Sequence, residues 1–279
     1  MKGISLYSVI PVRAEAREGA EQNTQMLFGE LCQIINDKSQ ITNHKWYRIR
    51  LESDGQEGWV DAKMIAPMSA AEYKSHKTAL QTAAMVAMPM AYAVSENNGQ
   101  TIPLTAGTKL TNYQLQMTNG ASSARFEVLG VGFRIDPSMV ITQPMDLNQT
   151  NLLQAVRFFL NIPYLWGGKN AMGLDCSGFT QVVMSLFGKS LKRNASEQAT
   201  QGRKIANLKN AQAGDLVFFN HQSPMTNDQL PITHVGIVID PERVIHCSGR
   251  VKVEKLDAEG IYSAEAAAYT HHLVTIRRI

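Results

Sequence analysis

A cysteine and two histidines in the second half of this chain are of the types that nucleophilic acyl chemistry requires. Cys176 lies in PYLWGGKNAMGLDCSGFTQVVMSLF, where a glycine-rich loop gives way to an apolar segment. Val182, Val183, Leu186 and Phe187 follow at helical spacing, which predicts Cys176 in the first turn of an amphipathic helix ending near Gly188. Unpaired backbone N–H groups and the positive end of the helix dipole favour a thiolate there. On spacing alone the position suits a nucleophile and a buried core residue equally. A nucleophile needs a base, and the base needs a group to orient it. His234 in THVGIVI and His246 in RVIHCSG are the candidates for these two roles.

Both histidines fall in strand-like runs separated by the turn DPER, which reads as an antiparallel hairpin. Register decides whether the pair can cooperate. A two-residue turn at Pro241 and Glu242 would set Ile237 opposite His246 and send the rings to opposite faces. Setting Gly236 opposite His246 puts both rings on one face, with Gly236 leaving room between them. An odd-length loop or a bulge is therefore expected. In that arrangement His234 would take the thiol proton and pass it to a leaving amine. His246 would fix the tautomer of His234, and the Cys176 N–H would serve an oxyanion.

Other readings of the same residues compete. Cys176, His234, His246 and Cys247 could in principle hold zinc, but no CxxC-type pair supplies a clasp, so no metal and no other cofactor is expected. Three widely spaced cysteines do not make a disulfide framework. Cys32 in LCQII reads as core, and Cys247 as buried away from the face of His246. His44, His76, His221, His271 and His272 sit in polar contexts and read as surface, and Asp215 reads as a turn residue.

The elements that must position these groups form three blocks. At 279 residues, 44% hydrophobic and 18% charged, the chain suits a globular protein of two or three domains. A net charge of +3 with no Lys/Arg run gives no case for nucleic-acid binding, and no apolar run reaches membrane-span length. Residues 1–75 alternate short strands (TQMLF, WYRIRL, GWV) with turn clusters, as a small barrel would, with Trp46 and Trp59 as packing residues. Residues 76–146 open on an Ala- and Met-rich helical connector from about residue 70 and continue as strands. Residues 147–279 place helices before antiparallel strands, an α+β arrangement. MKGISLYSV shows no leader, so the expected location is cytoplasmic if Met1 is the native start, and periplasmic or cell-surface if a leader has been removed. The chain is expected to act as a monomer.

The blocks PYLWGG, DCSGF, AGDLVFF, THVGIVI and VIHCSG occur in an order that resembles the NlpC family of papain-like peptidoglycan peptidases. GE…KWYRIR…DGQEGWVDAKMI resembles a bacterial SH3 domain, and residues 76–146 read as a second, divergent one. The resemblance implies a papain-like domain, helices packed on an antiparallel sheet, behind two SH3-like barrels. It implies a Cys176, His234, His246 triad with Tyr164 supporting the oxyanion. Asp175 and Ser177 would line the substrate side of the cleft, and Asn194 and Ser196 its far side. Some relatives carry Asp at the place of Asn194, which would alter pairing with a substrate amine.

The three-domain order is similar to enzymes that recycle free L-Ala-γ-D-Glu-diamino acid peptides. In those, the first barrel blocks longer substrates and reads the free N-terminal amine with an acid and a tyrosine. Those positions are Glu21 and Gln56 here, and Gln56 lacks the ring. The expected partner is therefore a short murein peptide. Two other classes stay open: a peptide-binding module on a degenerate scaffold, against which the intact triad argues, and an amidase or transferase using the same three residues.

Overall fold

The computed structural model describes residues 1–39, 45–118, 121–221 and 231–279, so His44 lies outside the described residues. The chain divides into two compact units, Met1–Pro144 and Met145–Ile279.

In the first unit, seven antiparallel strands run in the order Gln22–Leu27, Val9–Arg13, Glu57–Asp61, Trp46–Leu51, Leu31–Ser39, Lys2–Ser5, Ile65–Met68. Alternation in WYRIRL and EGWVD turns Tyr47, Ile49 and Val60 into a core with Ile10, Val12, Met26 and Cys32. Cys32 is fully buried and its thiol is pushed up to about 12 by burial, as befits a core residue.

The helix Ala70–Ala79 starts at Ser69, which accepts from the Glu72 N–H while Glu72 reaches back to the Ser69 N–H. Beyond it come a five-stranded sheet built around Met90–Ser95, Val131–Ile135 and Ala121–Val128, and a three-stranded sheet centred on Ala84–Val86. Their core is not self-contained. Ile4, Phe28, Leu31 and Met68 enter it from the preceding block, and Phe28 meets Phe126 and Phe133 edge-on at 6.4 and 5.5 Å. His76, read as surface from its polar neighbours, is buried. It is the one fully buried residue of its helix, and its Nε2 lies 3.0 Å from the carbonyl of Gly29.

The second unit opens with the helix Gln149–Val156, capped by Asn148, and then the nucleophile-bearing helix Cys176–Leu186. Asp175 caps the latter by accepting from the Gly178 N–H at 2.6 Å, and Gly188, at φ 71°, follows its end. The expected amphipathic helix is in fact buried on every side, all of its residues except Ser185 being enclosed. Its polar residues find partners inside: Thr180 donates to Gln198 Oε1 at 2.8 Å and Gln181 to the Leu191 carbonyl at 3.0 Å.

The antiparallel sheet that follows closes on itself. Strands Leu216–Asn220, His234–Asp240, Arg243–Ser248, Arg250–Leu256 and Gly260–Ser263 pair in sequence, and Ala268–Arg278 pairs with both ends of the series. That last strand is eleven residues long, enough to pair with Gly260–Ser263 early and with Leu216–Asn220 and Arg203–Ile205 later. Six strands close into a barrel, with Val217, Phe219, Val238, Val244, Leu256 and Ile261 in its core.

Candidate active site

The hairpin that carries both histidines has a two-residue turn, since Asp240 pairs with Arg243. One residue later the register shifts: Val238 pairs with Val244, and Gly236 with His246. Ile239 is the bulged residue, fully enclosed at 1% exposure, and its carbonyl accepts from Gln149 Nε2 at 3.2 Å. His234 and His246 therefore share the face that carries Val238 and Val244. Their rings meet edge to face at 5.0 Å, with His234 Nε2 2.8 Å from His246 Nδ1. A side chain at position 236 would press on Val244 and on the Cβ of His246, so the glycine holds the two strands' side chains apart.

A fourth member of this chain escaped the sequence reading. His246 Nε2 lies 2.8 Å from Glu254 Oε2, with the two side chains 0% and 7% exposed. Val244 pairs with Glu254 and His246 with Lys252, so Glu254 sits diagonally across from His246 on the same face. Burial opposes ionisation of Glu254, but hydrogen bonds from His246, Ser263 and Lys252 prevail and bring it down to about 2. Burial lowers the pKa of His246 and, well below its ordinary value, that of His234.

These protonation states fix every proton in the relay. The Glu254 carboxylate only accepts, so neutral His246 carries its proton on Nε2 and presents a lone pair at Nδ1. His234 must then donate from its own Nε2, which leaves its Nδ1 as a free base.

Cys176 occupies the first position of its buried helix, its thiol against the backbone N–H groups of Val235 and Ser177. Val235 directly follows His234, so the thiol and the base are held on adjoining backbone. The thiolate expected from the helix N-terminus is not the resting state. Burial, with the Asp175 charge behind it, pushes the thiol up to about 11, and the two N–H groups and Arg193 oppose this without prevailing. With His234 shifted down, the pair rests as neutral thiol and neutral imidazole. The rate of Cys176 alkylation by iodoacetamide should therefore climb with pH up to about 11. A plateau from pH 5 to 8 would instead reveal a preformed ion pair.

Cys247 is fully buried and turned away from the histidines, with its Sγ donating to the Leu174 carbonyl at 3.1 Å. All three cysteines are free thiols.

Tyr164 is half-buried, anchored by its N–H to the Gly249 carbonyl at 2.9 Å. Its hydroxyl pKa is raised by burial and then by the neighbouring Cys176 and Asp175, which puts the phenol close to the sulfur. Asp175 and Ser177 do not face an open cleft: they are 6% and 5% exposed and belong to an internal network. Asp175 accepts from the Gly167 N–H at 2.9 Å and from both nitrogens of the Arg193 fork, at 3.1 and 2.5 Å. Ser177 accepts from Arg193 at 2.9 Å and donates to Asp175 at 3.2 Å. The pair thus ties the glycine-rich loop to the helix start. Arg193, 1% exposed, was missed because an arginine in LKRNASEQ reads as surface.

Asn194 is exposed and caps the short helix Ala195–Gln198, its amide bonded to Glu197 at 2.8 Å, and Ser196 is exposed beside it. Gln198 fastens this segment to the nucleophile helix through the Ser177 carbonyl at 3.1 Å. In the first unit, Glu21 is exposed just ahead of its strand, while Gln56 is half-buried and accepts at its carbonyl from the Leu51 N–H.

Among the remaining histidines, His221 is exposed and His272 half-buried, but His271 is buried at 3% and its ring lies tilted against that of His234 at 4.2 Å. The polar run YTHHL concealed it. The alternation of the closing strand turns one of its two histidines into the barrel and the other partly out. Asp215 accepts from the Gln212 N–H and pairs with Arg278 at 2.7 Å, as a turn residue would.

Residues 161–277 match the model of the NlpC/P60 family, and residues 12–65 that of the bacterial dipeptidyl-peptidase SH3 domain. The second unit carries an NlpC/P60 domain. Like other NlpC/P60 proteins the chain is a cysteine peptidase. It is similar to a gamma-D-glutamyl-L-lysine dipeptidyl-peptidase of Bacillus subtilis, 28% identical over 254 residues that span 88% of this chain and 79% of the relative. A Bacillus cereus protein of the same name is 23% identical over 80% of this chain and 66% of its own length. The crystal structure of an NlpC/P60 family protein from Bacillus cereus shares the fold over the whole chain, with a TM-score of 0.79 at 18% identity.

Proposed function

We propose that this NlpC/P60 peptidase hydrolyses the γ-D-glutamyl–diamino acid amide bond of short murein peptides bearing a free N-terminal L-Ala, releasing L-Ala-γ-D-Glu. The observation that carries the reading is the buried relay Glu254–His246–His234, with the Cys176 thiol against the backbone N–H of Val235, the residue that follows His234. Kinship to two gamma-D-glutamyl-L-lysine dipeptidyl-peptidases across most of the chain supports the choice of bond.

In this mechanism Nδ1 of His234 takes the Cys176 proton as sulfur attacks the amide carbon. The oxyanion accepts from the Cys176 N–H and the Tyr164 hydroxyl. His234 returns the proton to the departing amine, and the thioester is then opened by a water that His234 deprotonates. Asp175, Ser177 and Arg193 keep the helix start rigid during both steps, while Asn194 and Ser196 are carried as candidate substrate contacts.

A free ammonium facing a carboxylate selects strongly against acylated ends, because an acyl group leaves that carboxylate unpaired. Glu21 and Gln56 are the residues proposed for this selection. The decisive assay offers L-Ala-γ-D-Glu-L-Lys with a free and with an acetylated N-terminus. Cleavage of the free form alone, by a hundredfold or more in kcat/KM, is expected. Equal cleavage of both forms would replace the recycling role by hydrolysis of intact wall peptides.

A further inference from the structure

The relay does not account for His271. Its ring is 3% exposed, its Nδ1 lies 2.8 Å from the Thr270 hydroxyl, and its Nε2 is buried with no hydrogen-bond partner among the described residues. A buried imidazole nitrogen left without a partner calls for an explanation. Its ring lies tilted against that of His234 at 4.2 Å, and 5.5 Å, ring to ring, from His246. One nitrogen from each of His234, His246 and His271 falls within 4.8 Å of the other two.

We propose that His234, His246 and His271 form a binding site for a borderline divalent metal ion of the zinc class, and that a bound ion switches the peptidase off. The ligand set is three imidazoles, which leaves a tetrahedral ion one open position for water. In two of the three rings the other nitrogen already has a use. His246 donates from Nε2 to Glu254, the carboxylate–histidine arrangement that steadies metal-binding imidazoles, and His271 has Thr270 at Nδ1. All three rings are held neutral by burial, His271 down to about 3, so lone pairs are available at ordinary pH. The exposed His221 lies 4.4 Å from His271, at the edge of the cluster nearest the surface.

For the His234–His246 pair the change needed is small. His234 Nε2 and His246 Nδ1 are 2.8 Å apart, and two ligands on one tetrahedral ion at about 2.0–2.1 Å stand about 3.3–3.4 Å apart. The proton now on His234 Nε2 moves through solvent to Nδ1, with no net release from the three rings. Nδ1 is then a donor and no longer a base, and the thiol keeps its proton. The inhibitory half of this inference rests on His234 being the base proposed above; the binding half does not.

The test uses the full chain carrying Cys176→Ala, so that no active-site thiolate can hold the ion. Titration with Co2+, followed by visible absorption, and with Zn2+, followed by calorimetry, should give one ion per chain and a tetrahedral cobalt spectrum free of thiolate charge transfer. Adding His271→Phe, which keeps a ring beside His234, should weaken binding tenfold or more. No stoichiometric binding, or equal affinity after His271→Phe, would overturn the site. Should that variant fail to fold, anomalous scattering from a zinc-soaked crystal of the Cys176→Ala chain decides: density among the three rings supports the site, and density only elsewhere overturns it. In the wild-type chain Zn2+ should inhibit cleavage over the same concentration range and a chelator should restore it. Binding without inhibition would overturn the switch.

Discussion

Peptide cleavage should fall to background in Cys176→Ala, by about a hundredfold or more in Glu254→Ala, and by only about tenfold in Glu254→Gln. The first loses the attacking atom. The second is the informative one, because Glu254 acts only through His246 and should lower kcat while leaving KM unchanged. Without the carboxylate, His246 Nε2–H has no acceptor in a site that is 0% exposed. The ring is then free to carry its proton on Nδ1, where it faces the proton on His234 Nε2. Two donors cannot share that 2.8 Å contact, so His234 must shift its proton to Nδ1 and ceases to be a base. Glutamine offers an oxygen in the same place and preserves the tautomers without the charge. Steady-state kinetics on the free tripeptide reads all three, and a Glu254→Ala enzyme within threefold of wild-type kcat would remove the relay.

A second large effect concerns folding. Arg193→Met should destabilise the second unit by about 3–5 kcal/mol, because it strands the Asp175 carboxylate, 6% exposed, without its cation. For a unit of this size that corresponds to a fall in melting temperature of roughly 10–20 °C. Arg193→Lys should recover only part of the loss, since an ammonium cannot reproduce the two-pronged contact with Asp175 and the further bond to Ser177. Asp175→Asn in the Arg193→Met background should restore stability towards wild type, although one cap hydrogen bond is weakened. Calorimetry of the four chains checks this, and a loss below 1 kcal/mol in Arg193→Met would show that the pair is not needed for the fold.

The parts of the site that lie close in sequence could be read from it. The cysteine at a helix start and the two histidine strands announce themselves within windows of ten residues. Alternation alone raised the parity question in the hairpin, and the need for both rings on one face pointed to an odd-length loop or a bulge, of which the ladder has the bulge. What stayed hidden depends on long closures. Glu254 looks like one charge among several in RVKVEKL until the strand pairing brings it across to His246. His271 becomes a core residue only when the closing strand joins Gly260–Ser263 to Leu216–Asn220. Arg193 looks solvated because nothing local shows that Asp175 and Ser177 turn inward to meet it. The ionisation of Cys176 was misjudged for a related reason. The helix terminus is visible in the sequence, but the enclosure of the helix on all sides, which outweighs it, is not.

The single extra residue at Ile239 makes the hairpin's turn and its catalytic end separable problems. A tight turn sets one phase of the side-chain alternation, and the bulge advances that phase by one step before His234 is reached. The correction is locked from outside the sheet by Gln149, so loops grafted at Asp240–Arg243 can vary in sequence without disturbing the site as long as their length stays even. Were Ile239 to pair with Val244 and close the bulge, Ile237 would stand opposite His246 and one imidazole would leave the barrel, while every residue named in the chemistry remained in the chain.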